Sequence, residues 1–198
     1  LEKDMKNLKL EMHFAAAAAL CAAGAANAAV VAWENCNLVV PANFDGIYIN
    51  VETQQTGTAG SAVAGWDINP YGASALQWYN ATGTGMLRYP GVTSGSAGNL
   101  ANGMTVGAAG SFGSGTVTFG SAAGNWQLNA TNIFGFRFVA ADGGTKYGYG
   151  TMVVGATPTV RTITNLYFES VTGASIVIPA PGALALLGVA GLASRRRR

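Results

Sequence analysis

The sequence predicts an all-β fold: an antiparallel β-sandwich of jelly-roll type, preceded by an N-terminal signal helix and followed by a short C-terminal transmembrane helix. Three observations lead there. Glycine fills 28 of 198 positions and only 10% of residues are charged, which suits short strands and tight turns better than a helix bundle. From Ile133 to Phe168 apolar and aromatic residues recur at every second position, the period of a strand. The apolar runs of helical character stand at the two ends of the chain.

At the N-terminus, Met5-Lys6-Asn7-Leu8-Lys9 reads as a basic leader and Phe14 to Ala26 as an apolar run. Ala26-Asn27-Ala28 then forms an A-x-A signal-peptidase site, with cleavage expected after Ala28. Residues 1–28 are therefore assigned to a signal peptide, residues 1–4 being an upstream extension. Residues 29–178 have the length of one domain with a sizeable core. Cys36 to Val40 and Asp45 to Glu52 read as strands on either side of Pro41, followed by Ser74 to Tyr79 and Thr116 to Phe119. Between Thr82 and Gly124 the chain is mostly Gly, Ser, Thr, Ala and Asn. Leu100, Met104, Val106 and Phe112 interrupt it at intervals and predict short strands joined by long loops.

The strongest unit follows. Phe134, Phe136 and Phe138 share one strand face, and Asp142-Gly143-Gly144 turns the chain. Tyr147, Tyr149, Thr151 and Val153 alternate on the return strand. Pro158 marks the next turn, and Val160, Thr162, Thr164, Leu166 and Phe168 alternate after it. Such a meander has one apolar face, which a second sheet is expected to cover.

Residues 179–198 close the chain with Pro179-Ala180-Pro181, an apolar run from Gly182 to Ser194, and Arg195-Arg196-Arg197-Arg198. As a helix the run would span about 20 Å, against about 30 Å for a bilayer's hydrocarbon core. Ile176, Val177 and Ile178 extend it, although the prolines interrupt the helix there. The arginines belong on the cytoplasmic side, which places the body outside the cytoplasm. Together, the proline frame, the apolar run and the terminal arginines resemble the PEP-CTERM sorting signal, whose usual middle residue is Glu where this chain has Ala180. The resemblance implies processing by the membrane protease exosortase, with Pro179, Pro181, Gly182, Arg195, Arg196, Arg197 and Arg198 as the sorting residues. It also implies transient inner-membrane anchoring in a Gram-negative bacterium, then delivery to the cell surface or an exopolysaccharide-rich biofilm matrix. Asn43 to Val51, Gly65 to Tyr71, Phe134 to Phe138, Lys146 to Gly150 and Tyr167 to Ile176 resemble a recurring architecture of such proteins. Where that group reads His-Tyr-Gly-Trp, this chain has Lys146 and Tyr149 in place of the His and Trp. The group brings no activity with it.

Residue chemistry narrows the function. Within 29–178 the bases are Arg88, Arg137, Lys146 and Arg161, and the acids are Glu34, Asp45, Glu52, Asp67, Asp142 and Glu169. Four against six leaves a slightly acidic body that does not invite nucleic acid. The only histidine, His13, lies in the signal peptide, so the mature body has no His for a Ser-His or Cys-His pair or a zinc site. Cys21 leaves with the signal peptide, so Cys36 has no intramolecular partner; it reads as a small buried apolar residue, with an intermolecular disulfide as the alternative. The acids are scattered singly, Asp45 and Asp142 precede glycines in turns, and Glu52 and Glu169 end strands at expected solvated rims. Asp67-Ile68-Asn69 offers two oxygen ligands but lacks the acid run of a tight calcium site, so a turn is expected. No catalytic residue, metal or cofactor is predicted.

Trp33, Trp66, Trp78 and Trp126, with Tyr71, Tyr79 and Tyr89, offer flat apolar faces with polar edges. Most are expected in the core. Trp66, Asp67, Asn69 and Tyr71 form the candidate ligand loop, because polar and turn-forming neighbours should hold their aromatics near the surface. The expectation is an exported, non-catalytic envelope or matrix protein, with exopolysaccharide as its partner. The other class is a secreted carbohydrate-active enzyme or lectin-like module. Acids dispersed over the surface favour the first; a carboxylate pair gathered in a groove favours the enzyme.

Overall fold

The structure, a computed structural model, describes residues 29–180. The signal helix with Ala26 and Ala28, and the tail from Pro181 and Gly182 to Arg195, Arg196, Arg197 and Arg198, lie outside the described residues. Among the described residues no helix is long and apolar enough to cross a membrane.

The strands in chain order are β1 (Val30–Trp33), β2 (Leu38–Val39), β3 (Tyr48–Asn50), β4 (Gln55–Gly57), β5 (Ile68–Tyr71), β6 (Gln77–Asn80) and β7 (Gly85–Leu87). They continue as β8 (Thr105–Val106), β9 (Phe112–Gly113), β10 (Gly115–Thr116), β11 (Ala130–Val139), β12 (Thr145–Val154), β13 (Arg161–Glu169) and β14 (Ile176–Val177). A seven-stranded sheet runs β1-β13-β12-β11-β7-β9, with β2 also on β13; a five-stranded sheet runs β10-β6-β5-β3-β4. Every strand pairing in them is antiparallel, and the two sheets pack as a sandwich.

The predicted meander is β11, β12 and β13, and its turn is built as expected: the Gly144 N–H donates to Asp142 Oδ1 at 2.8 Å and Gly143 has φ +80°. Phe134, Phe136 and Phe138 all point into the core and are fully buried. Trp78 of β6 meets Phe134 across the sandwich at 4.8 Å between ring centroids, and Phe138 meets Phe168 edge-on at 5.2 Å. Burying an aromatic of this size contributes about 1.5–3 kcal/mol.

The register explains the spacing of Gly148 and Gly150. Phe136 lies opposite Gly148 and Phe134 opposite Gly150, and a Cβ at either glycine would fall on the facing ring. The rings occupy the volume the glycines leave open. Gly150→Val is therefore expected to overpack the core by about 1–3 kcal/mol, lowering the thermal midpoint by about 3–10 °C. Circular dichroism melting checks this; an unchanged midpoint would mean the ring has room to move.

Two expectations about the meander are corrected. The even-numbered alternation of β13 does not hold. Thr151 pairs with Asn165 but Met152 pairs with Ile163, so Thr164 is an inserted bulge residue. The bulge flips the parity: Leu166 and Phe168 share the core face with Ile163, not with Thr162 and Thr164. Nor does the meander have one apolar face. Tyr147 and Tyr149 point away from the main core and are buried under a small β8–β14 ribbon, with Leu87, Leu100, Val106 and Ile176. The Gly-rich stretch supplies β8, half of that ribbon and one of the short strands its spaced apolar residues predict.

Candidate functional site

The segment expected as an exposed ligand loop instead leads into β5, inside the five-stranded sheet: Trp66 and Asp67 stand just before the strand, and Asn69 and Tyr71 lie in it. Asp67 and Asn69 are buried, at 3% and 2% exposure. The Val51 N–H donates to Asp67 Oδ2 at 2.8 Å, and Asn69 Nδ2 donates to the Asp45 carbonyl at 2.8 Å. Both residues serve the fold. Tyr71 is half-buried opposite Gln77 in the β5–β6 ladder. Only Trp66 retains a place in a surface aromatic group. The loop reading missed the strand because Asp, Asn and Pro are turn residues locally, while the partners that satisfy them come from Val51 and Asp45.

Strand alternation builds the aromatic group. Ile49, Ile68 and Trp78 point into the core, so their neighbours lie on the opposite face of the sheet: Asn69 there is covered by the Asp45 loop, while Tyr48 and Tyr79 flank Trp66. Trp66 packs edge-on against Tyr48 at 4.9 Å and tilted against Tyr79 at 5.8 Å. The preceding loop is fixed by Asn50, whose Nδ2 donates to the Ala64 and Gly65 carbonyls at 3.0 and 2.9 Å. Gly60 allows the short Gly60–Ala62 turn to close on the pair: a Cβ there would lie 2.9 Å from Trp66 Nε1. Tyr79 is 56% exposed and offers the accessible ring of the group. Phe44, 83% exposed, lies in the loop that packs through Gly46 on Tyr71. Of the other predicted aromatics, Trp78 and Trp126 are buried in the core and Trp33 packs against it.

Two carboxylates come together that are separate in sequence. Asp67 and Glu52 line one cavity of about 340 Å³, with Asn50, Thr53 and Phe138. Burial, and to a lesser degree the Glu52 charge, push the Asp67 carboxyl up to about 7, against the pull of its Val51 hydrogen bond. Glu52 goes the other way: its hydrogen bonds from Lys146 and the Ala141 N–H hold its carboxyl below the usual range. Lys146 Nζ sits 2.7 Å from Glu52 Oε1, and the Ala141 N–H donates to Oε2 at 2.8 Å. Glu52 is thus committed to tying the five-stranded sheet to the β11–β12 turn. The solvated rim expected for Glu169 is also corrected, since it is buried and accepts from the Val171 N–H at 3.1 Å.

Cys36 is half-buried, its thiol directed at the Ile163 carbonyl at 3.5 Å and pushed up by burial. Pro179 lines a cavity of about 280 Å³ with Glu34, Tyr149 and Tyr167. There the two tyrosines stack at 4.8 Å and the Tyr167 hydroxyl donates to Glu34 at 3.2 Å.

No family model, curated protein or solved structure matches the chain.

Proposed function

We propose that the chain is an exported, non-catalytic envelope or matrix protein whose sandwich, of jelly-roll type, holds exopolysaccharide on the outer face of the five-stranded sheet. The observation that carries the binding is the Tyr48–Trp66–Tyr79 group, aromatic surface gathered on a rigid sheet with Tyr79 open to solvent. The jelly-roll reading is supported by the chain crossing between the two sheets from β2 to β3, from β6 to β7, and on both sides of β10. Export is supported by the terminal signals in the sequence. Exosortase would process the anchored precursor at its PEP-CTERM-like tail and deliver the body to the cell surface or matrix of a Gram-negative bacterium.

Each stacked ring contributes about 0.5–1.5 kcal/mol, by analogy with aromatic pairs, so one contact binds weakly and retention needs many copies or sites. A pull-down with the producer's own exopolysaccharide tests the reading. Tyr79→Ala and Trp66→Ala are each expected to weaken retention by roughly 2- to 12-fold; undiminished retention in both removes the aromatic face from the site. Mass spectrometry of the exported protein is expected to lack residues 195–198, and an intact tail there would sink the sorting proposal.

A carbohydrate-active enzyme is the second reading, favoured by Asp67 and Glu52 sharing a cavity with carboxyls pushed in opposite directions. It ranks below because both Glu52 oxygens are already engaged. Hydrolysis of the polysaccharide, abolished by Asp67→Asn, would move the protein into that class.

A further inference from the structure

We propose that a second cavity, on the seven-stranded side of the sandwich, binds an acidic sugar, a uronic acid residue of the polysaccharide, with Arg88 as the contact for its carboxylate. The proposal rests on the polysaccharide-binding reading and adds to it a sugar class and a separate site. The cavity holds about 420 Å³ between the 88–92 and 105–111 segments and Ser175, within the range of about 300–1,000 Å³ common for small-molecule sites.

Charge points to an anion. Of the four cations in the described body, Lys146 is paired with Glu52 and Arg161 is enclosed by carbonyls. The other two gather at Phe112. Arg88 Nη1 donates to the Phe112 carbonyl, and the Arg137 guanidinium lies over the Phe112 ring, 4.8 Å from its centroid. Among the described residues neither has a carboxylate within ion-pair distance, and none of the six acids of the body lines the cavity. Arg88 is held in place by the Gly95 carbonyl at 2.8 Å and Ser111 Oγ at 3.0 Å, while its Nη2 makes no hydrogen bond to a described residue. Gly113 leaves the room it occupies, since a Cβ there would fall on Nη2. Arg88 is thus a fixed cation in the cavity lining with no carboxylate partner among the described residues, a preorganised contact for a carboxylate.

The rest of the lining points to a sugar. Hydroxyls stand on three separate segments, at Thr105, Ser111 and Ser175, and Leu87 and Tyr89 supply apolar surface. A uronic acid offers hydroxyls for the first, C–H faces for the second and a carboxylate for Arg88. An inorganic anion leaves the apolar wall unused, and an acyl chain leaves the hydroxyls unpaired.

The test is isothermal titration of the full chain with glucuronic acid, glucose, inorganic phosphate and decanoate at one ionic strength. Glucuronic acid is expected to bind, glucose at least about tenfold more weakly, the loss of one charged hydrogen bond. Arg88→Gln is expected to remove the preference for glucuronic acid, and Ser175→Phe, which fills the cavity, to abolish binding. Each titration is run also in the Tyr79→Ala background, which removes the aromatic face's share of sugar binding, so failure at this cavity and failure at the aromatic face are read separately. Equal affinity for glucose, tighter binding of phosphate or decanoate, or unaltered titration of both cavity variants would overturn the proposal. If Arg88→Gln does not fold, Ser175→Phe decides.

Discussion

Replacing Arg161 with methionine is expected to lower the thermal midpoint by about 10 °C, from a loss of about 3–5 kcal/mol. Arg161 opens β13 and is 2% exposed. Its guanidinium has no carboxylate partner among the described residues; four carbonyls surround it. Nη1 donates to Ala75 at 2.9 Å and Pro158 at 3.2 Å, and Nη2 to Pro41 at 3.0 Å and Gly72 at 2.7 Å. Burial pulls its pKa down to about 10, still well above neutrality, so the cation persists. Methionine keeps much of the volume and strands all four acceptors, each at about 1–3 kcal/mol before water reaches it; relief from burying a charge offsets part of the total. Lysine keeps the charge but not the planar fork, and should fall between. A shift below about 2 °C in the methionine variant would show that the three segments hold together without the arginine.

The second large effect is on pH. Asp67 binds its proton more tightly in the fold than in the open chain, with a carboxyl at about 7 against an ordinary 3.8. The folded state therefore carries the extra proton between those values. Stability from this group is fully present below about pH 4 and is lost as pH rises to about 7. The span corresponds to about 4 kcal/mol. Glu52, the nearest acid, titrates below its ordinary range because of Lys146 and Ala141, so its own contribution is lost only at the acid end of the window. Asp142 at the adjoining turn is likewise held low by the Gly144 N–H. Asp67→Asn keeps an acceptor for the Val51 N–H and removes the charge. The variant should melt as wild type near pH 4 and above it at pH 8, with the difference growing between. Parallel melting curves from pH 4 to 8 would show that Asp67 stays ionised in the fold.

The all-β class, the β11–β12–β13 meander with its Asp142 turn, and the short strands of the Gly-rich stretch were legible in the order of residues alone. These are local properties: side-chain alternation has period two, and Asp-Gly-Gly turns the chain whatever lies beyond it. The sequence also limited the chemistry, since residue types can be counted before they are placed. Features that depend on partners far along the chain emerged only on folding. Asp67 and Asn69 read as turn residues; Asn69 became a buried strand residue and Asp67 a buried residue just before β5, because Asp45 and Val51 supply their hydrogen bonds. Trp66, Tyr48 and Tyr79 met because β3 and β6 turn the two tyrosines to one face and the loop before β5 lays Trp66 against both. Arg161 was one base among four until Pro41, Gly72, Ala75 and Pro158 closed around it. The parity of β13 turned on Thr164, an inserted residue visible only once β12 lies beside it. A bulge leaves no mark in composition, and a buried polar group none in its own neighbourhood, because in both the deciding atoms belong to another strand.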